Sequence, residues 1–297
     1  MRFRYIYLMR LYATLLFSLY TIISSPAVSQ TKTQLESLNK KLENIYDLDQ
    51  GIRDTVHYYE SRFGFNSPEG KAAYIRMHTQ DSINQHTIFR LLDTQGWPDK
   101  KQISKKASQG IFFVLQHAEL EAQEKYNPMV DQAFASGQLE SWSYAFYKDR
   151  INMRQGKFQQ YGSQVGRDAL GNVYVFPIAD EPNVDKRRQK LKMGSLKQHL
   201  KDNGIEEYEL PATDTLTGKI VVIGHIMDGT QKGIEGVEVY LKDQLIATSN
   251  RTGFIRFPVS KDSQEKLIFS LKKAGRKTIS FPISGNKDFY DLYFQLK

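Results

Sequence analysis

Apolar residues recur at steps of three and four between Thr33 and Tyr59: Leu35, Leu38, Leu42, Ile45, Leu48 and Ile52. That spacing puts them on one helical face and predicts a first helix. Asp49 and Arg53 stand four apart on it, within pairing reach on one face. Gly64 to Gly70, with Asn66, Ser67 and Pro68, reads as a loop. Ala72 to Leu92 predicts a second helix, with Ile75, Ile83, Ile88, Leu91 and Leu92 turned inward and Asp81 and Asn84 three apart. Gly96-Trp97-Pro98 stops it, because proline cannot continue a helix. Ser104 to Lys125 reads as one third helix, in which Ile111, Leu115, Ala118 and Ala122 form an apolar row. Phe113, Val114, His117 and Leu120 form a neighbouring row, so His117 lies on or beside an apolar stripe. Asn127-Pro128 opens a short fourth helix, Leu139 to Met153 predicts a fifth, and Asp185 to Asn203 a last one closed by Gly204.

The period then changes. After an aperiodic stretch over 208–217, Ile220 to Met227 and the alternating Val237, Val239 and Leu241 read as strands. Gln244–Thr248, Phe254–Val259, Lys266–Lys272, Arg276–Ile283 and Asp291–Leu296 supply more, with turns every 8–12 residues. This predicts a small antiparallel β-sandwich of immunoglobulin-like or transthyretin-like type. The chain is therefore expected to be multidomain, α then β: helices over 30–207, a linker over 208–217 and the sandwich over 218–297.

Residues 1–29 read as a secretory signal peptide. Arg2, Arg4 and Arg10 form its basic start, and Leu11 to Ile23 is apolar over a length short of a membrane span. The small residues Ser24 to Ser29 predict cleavage after Ser29. The expected location is outside the cytoplasm, in a periplasm or at a cell surface, with no membrane span after cleavage. The competing reading is an uncleaved anchor.

Charge sharpens this picture. The formal net charge is +8, but 1–29 holds three arginines and no acid, and 218–297 holds 13 basic against 8 acidic residues. The part between carries 25 of each sign. A neutral middle argues against nucleic acid as a partner, because phosphate neutralisation needs a basic face. The chain has no cysteine, which excludes disulfides, thiolate catalysis and cysteine-held zinc. His57, His78, His86 and His199 do not pair at i, i+4 with one another or with His117, so no metal and no cofactor is expected.

The densest polar run is Asp149 to Gln164, DRINMRQGKFQQYGSQ, which is too polar for a core helix. Its glycines, Gly156 and Gly162, mark places where the backbone turns or closely approaches something. Three readings use the same residues. In the first, Asp149 or Asp49 orients His117, which moves a proton. Arg53 or Arg150 then grips an anionic group, and Gln160 and Gln164 donate to a developing oxyanion. That is a hydrolase or transferase acting on an envelope glycan or peptide. In the second, Trp97 and Tyr161 stack on a sugar or peptide while Gln116, the amides and the arginines orient it, as in a binding module for an envelope ligand or protein. In the third, the cluster is a buried polar network with no ligand, and His117 is a core histidine. No G-x-S-x-G, H-E-x-x-H or phosphate loop is present to choose among them.

Several short motifs follow one another in order. They are Asp49-Gln50 with Arg53, Asp81 with Asn84, Gly96-Trp97-Pro98, Gln116-His117-Ala118, Asp149-Arg150, Gly156, Gln160-Tyr161-Gly162-Ser163-Gln164, Pro177-Ile178 with Asp180, and Arg187-Arg188. The order resembles an uncharacterised bacterial helical domain of unknown function, with D-Q-x-x-R, G-W-P, Q-H-A-D, D-R and Q-x-Y-G-T-Q motifs, over roughly 35–205. Glu119 stands where that pattern has aspartate and Ser163 where it has threonine. The resemblance implies a fold and a polar cluster, not a reaction. Gly224 to Asp228, Gly236-Val237-Glu238-Val239, Thr248 to Asn250 and Gly253-Phe254 resemble a carboxypeptidase-regulatory-like, transthyretin-like sandwich over about 218–285. That resemblance implies a non-catalytic accessory module often carried by exported or outer-membrane proteins.

Overall fold

A computed structural model describes residues 31–64, 67–261 and 266–297. The segment read as a signal peptide lies outside the described residues. Five helices open the chain: α1 (Lys32–Phe63), α2 (Pro68–Gln95), α3 (Lys105–His117), α4 (Leu120–Ala135) and α5 (Ser141–Arg154). Side chains cap three of their starts. Thr31 and Gln34 form a capping box on α1, Ser67 caps α2 with Pro68 in its first turn, and Ser104 caps α3. The loop expected through Gly70 is thus shorter, since α2 begins at Pro68. Leu42, Ile45, Ile88, Leu92, Ile111, Phe112, Leu115, Tyr126 and Tyr147 build the core between these helices. Ile75 and Ile83, expected inside, are 66% and 56% exposed. The inner face of α2 is instead set by Ala73, Ile88, Leu91 and Leu92, together with the polar pair Asp81 and Asn84.

Helices α1 and α3 pack closely and run in the same direction. A Cβ on Gly110 would lie 2.5 Å from the Leu42 carbonyl oxygen, so only glycine admits this approach. One consequence is that Asp49, two turns beyond Leu42, meets His117, two turns beyond Gly110.

The helix expected over Ser104–Lys125 is two helices. The chain turns extended at Ala118 (φ −69°, ψ 162°), and Pro128 lies inside α4 rather than opening a helix. Side chains from elsewhere satisfy the exposed carbonyls at the break. Gln123 Nε2 donates to the Leu115 and Gln116 oxygens, and Arg154 donates to that of Ala118. Glu119 occupies the N-cap of α4 and makes no side-chain cap bond. The break leaves His117 as the last residue of α3.

A short antiparallel pair, β1 (Val165–Arg167) and β2 (Val173–Val175), follows. The helix expected over 185–203 is also divided, into α6 (Val184–Lys190) and α7 (Leu196–Asp202). Lys192 takes a left-handed φ of 57° at the division, and Arg188 donates to the Gly194 carbonyl there.

Strands β3 (Lys219–Met227), β4 (Glu238–Leu241), β5 (Gln244–Thr248), β6 (Phe254–Ser260), β7 (Leu267–Lys272), β8 (Ile279–Ile283) and β9 (Phe289–Gln295) form two sheets ordered β6-β3-β9 and β5-β4-β7-β8. The four-stranded sheet is antiparallel, whereas β9 runs parallel to β3, so the three-stranded sheet is mixed. Val222, Val237, Val239, Phe257, Phe269 and Leu271 fill the space between the sheets.

The stretch read as a linker is packed down. Tyr208 and Leu210 lie on Ile178, Val184, Leu196 and Leu200, and Leu216 joins a second small core. That core is shared, because Phe158 and Phe176 of the helical part meet Val221, Ile223 and Phe289 of the sandwich. The Gly156 carbonyl accepts from the Asp288 and Phe289 amides at 2.7 and 3.1 Å, which ties the sandwich to the end of α5.

Candidate functional site

Four helices converge on one polar centre. Asp49, in the middle of α1, is 1% exposed, and its Oδ1 lies 3.2 Å from His117 Nδ1. Its Oδ2 accepts from Gln50 Nε2 at 2.7 Å. One turn on, Arg53 Nη1 lies 3.3 Å from Asp49 Oδ1, and its Nη2 reaches both oxygens of Asp81 on α2 at 3.0 and 3.1 Å. Arg53 therefore bridges two carboxylates, and Asp49 bridges Arg53 to the imidazole. His117 also stacks on Phe113, one turn before it, with ring centres 5.9 Å apart.

The carboxylate on Nδ1 fixes the tautomer: Nδ1 donates, and Nε2 is left as the free acceptor. No described residue hydrogen-bonds that Nε2, and the side chain keeps 18% of its surface open. Burial lowers the His117 pKa first. Asp49 pulls it back up, and the Arg53 and Arg150 cations push it down again. The ring is thus held neutral near pH 7, as a general base must be.

Arg150, on α5, completes the centre. It donates to Gln164 Oε1 at 3.0 Å and, among the described residues, pairs with no carboxylate. Burial, together with the neighbouring Arg154 and Arg53 cations, brings its pKa down to about 10. Arg150 Nε, Asn84 Nδ2 and both amide atoms of Gln116 are buried without a hydrogen-bond partner among the described residues, as are Trp97 Nε1, Gln123 Oε1 and Ser143 Oγ. Buried polar atoms are nearly always paired in folded proteins, so each of these is open to a water or a ligand. Among the described residues no group of three or more histidines and carboxylates is placed to hold a metal ion.

Other residues singled out in the sequence lie elsewhere. Asp149 does not orient His117. Its carboxylate is buried and engaged, taking the amides of Gln160 (2.6 Å), Tyr161 (3.1 Å) and Ser163 (2.9 Å) and the Ser163 hydroxyl (2.8 Å). Burial raises its pKa, and these donors oppose the rise. Gln160 and Tyr161 serve this loop through their backbones, since their carbonyls accept from Arg187 and Arg188. Gly162 has φ +62°, and a Cβ there would lie 2.6 Å from Ile178, which explains the glycine. Gln164 does touch the centre, through Arg150. Trp97 lies beyond the far end of α2, about 20 Å along that helix from Asp81, and packs on the helical core. Gln50 and Asp81 belong to the centre through Asp49 and Arg53, while Asn84, one turn beyond Asp81, is buried and accepts from Gln80; the 49/53 spacing is the sequence signal that leads here.

The family comparison matches residues 36–207, the segment that contains this centre. The chain belongs to the family of unknown function DUF6624. No curated protein matches it in sequence. The DUF6624 segment starts within α1, holds every residue of the centre and ends before the first sandwich strand. Its matched region is thus the whole scaffold of the site, with the sandwich outside it.

Proposed function

We propose that the DUF6624 segment is an acid–base site for an anionic substrate, in the hydrolase or transferase class. The observation that carries this reading is the Asp49–His117 pair, whose Nε2 is unbonded, beside Arg150, a buried cation with no carboxylate partner. His117 Nε2 takes the proton from an attacking water or hydroxyl and returns it to the leaving group. Asp49 holds the ring and stabilises the imidazolium while the proton is in transit. Arg150 receives the negative charge of the substrate, and the Gln116 and Asn84 amides supply further donors. Arg53 is a positioning residue, already engaged by Asp49 and Asp81.

The sandwich is read as a non-catalytic accessory module of carboxypeptidase-regulatory-like type, which braces the end of α5 through Gly156. The basic and apolar pattern of residues 1–29 supports export, and with it a substrate in the cell envelope. Among the described residues, no helix is long and apolar enough to cross a membrane.

The test uses two simple anions, inorganic phosphate and acetate, with the His117 imidazole resonances as the readout. One of them should shift those resonances saturably, and Arg150→Gln should weaken that binding tenfold or more. If neither anion gives a saturable shift, or if Arg150→Gln binds as well as the parent, the reading is wrong.

A further inference from the structure

A second concave feature lies toward the N-terminal end of α5. It is a trough of about 610 Å³ between the α4–α5 turn and the α6–α7 turn. One wall is aromatic, formed by Trp142, Phe146 and Phe134. Trp142 is a fixed platform: its indole N–H donates to Glu140, and Phe112 meets its face edge-on at 5.4 Å. The opposite wall is cationic and comes from the turn that divides α6 from α7. Arg188 is 3% exposed and spends Nε and Nη1 on the Gly194 and Tyr161 carbonyls; among the described residues no carboxylate pairs with it directly, while the Asp185 and Asp149 charges act on it from farther off. Lys192 stands beside it in a left-handed backbone conformation that lysine rarely adopts. His199 Nε2 donates to the Ser163 carbonyl at 3.2 Å, and burial next to Arg188 lowers its pKa. A neutral His199 with its Nε2 proton on that carbonyl turns an acceptor, Nδ1, to its other side.

None of this is needed for the acid–base centre. Trp142 is separated from His117 by Phe113, which contacts both rings at about 6 Å. Glu140 also lines the trough, its carboxylate already held by Lys105 and the Trp142 indole. An aromatic wall facing a buried arginine with no directly paired carboxylate suits one kind of ligand. Its body is apolar and flat or extended, and one end carries a negative charge. Desolvated arginine attracts carboxylate strongly, and the apolar body gains roughly 25 cal/mol for each Å² it removes from water. The left-handed Lys192 adds a second positive charge at the rim, held where an ordinary helix continuation would not place it.

We propose that this trough is a second binding site, specific for an amphipathic anion, with the apolar body on Trp142 and Phe146 and the carboxylate at Arg188 and Lys192. The site does not depend on the acid–base reading.

The probe is sodium octanoate, compared with 1-octanol, on the full chain. The readout is the indole N–H resonance of Trp142, one of two tryptophans in the chain, assigned with Trp97→Phe. Octanoate should shift that resonance saturably and bind at least fivefold tighter than octanol. Gly194→Phe should abolish the shift, because a Cβ at Gly194 meets nothing within 4 Å and a ring there grows into the trough without disturbing the chain. Lys192→Glu should weaken octanoate at least fivefold and leave octanol unchanged. Lys192→Glu sits on the surface turn and keeps the test alive if Gly194→Phe does not fold. No saturable shift with octanoate overturns the site. Equal binding of octanol and octanoate, or indifference to Lys192→Glu, overturns its specificity for an anion.

Discussion

The molecule holds two kinds of polar network built from the same residue types. Around Asp149 and at the seam with the sandwich, the polar side chains are engaged by groups of the chain itself. Asp149 takes three amides and a hydroxyl. Gln159 gives its amide to the Gln164 and Phe176 carbonyls and accepts from the Gln164 amide. His225, 3% exposed on β3, shares Nε2 between Asp291 and the Tyr174 hydroxyl at 3.1 and 3.2 Å, stacked on Tyr293. Around Asp49 the same ingredients are left incomplete: a histidine with one nitrogen open, an arginine without a carboxylate, and amides with no partner. A buried His–Asp pair is therefore not a functional signature in itself. What separates the two pairs is their surroundings: His225 Nε2 is shared between a carboxylate and a hydroxyl, whereas the Asp49–His117 pair stands beside Arg150, a cation that meets no carboxylate among the described residues.

Substitutions in the closed networks should cost the most. Asp149→Asn replaces an acceptor by an amide whose N–H₂ faces backbone N–H groups, and should cost about 3–5 kcal/mol, the scale for breaking a buried charge network. Denaturant unfolding measures it. A loss under about 1 kcal/mol would show that the loop does not rely on the carboxylate, and would remove one side of the contrast. His225→Ala comes next, at about 3 kcal/mol, because it leaves a cavity among Tyr174, Phe254 and Tyr293 and unpairs Asp291. The same variant should speed amide exchange in β3 and in the β1–β2 hairpin together, since His225 joins them. Faster exchange in only one of the two would mean the seam is held by Phe158, Phe176 and Phe289 alone.

In the open network the sign reverses. Gln116→Leu removes a buried amide that has no partner, and should be neutral or stabilising by about 1 kcal/mol. The same change should weaken phosphate or acetate binding at Arg150. A destabilisation above about 1 kcal/mol would place Gln116 with the closed networks and shrink the site to His117 and Arg150.

Much of the architecture was legible in the chain. The change from steps of three and four to alternation divides helices from strands, and the 49/53 and 116/117 spacings lead to the centre. Two things were hidden for one physical reason. The helix break at Ala118 carries no proline or glycine, and the one after Lys190 turns at Lys192, two residues before Gly194. At the first, Gln123 and Arg154 satisfy carbonyls that the broken helix exposes, and at the second Arg188 holds the Gly194 carbonyl of the connecting turn. Tertiary hydrogen bonds of that kind leave no local pattern. Asp149 misled for a related reason: a polar run rich in Gln, Tyr and Ser looks the same whether its groups meet a ligand or one another. Trp97, a candidate stacking ring in the sequence, packs against the helical core.

Titration offers the smallest effect and the sharpest test of which carboxylate belongs to the site. His117 and His199 both have pKa values lowered below the ordinary value of about 6.5, burial being the main cause in each. The unfolded chain then binds protons that the folded chain refuses. Their contribution to stability is present in full above about pH 6.5 and is lost as pH falls from there toward the folded pKa values. NMR separates the two rings. Arg150→Gln removes a cation that pushes His117 down, so its pKa should rise toward the ordinary value. Asp49→Asn removes both the hydrogen bond and the charge that pull it up, so its pKa should fall further. Asp149→Asn should leave it where it was, because the Asp149 carboxylate faces the loop amides and is no hydrogen-bond partner of the ring. A His117 that followed Asp149 and ignored Asp49 would reverse the assignment, making the polar loop the site and the Asp49 pair part of the scaffold.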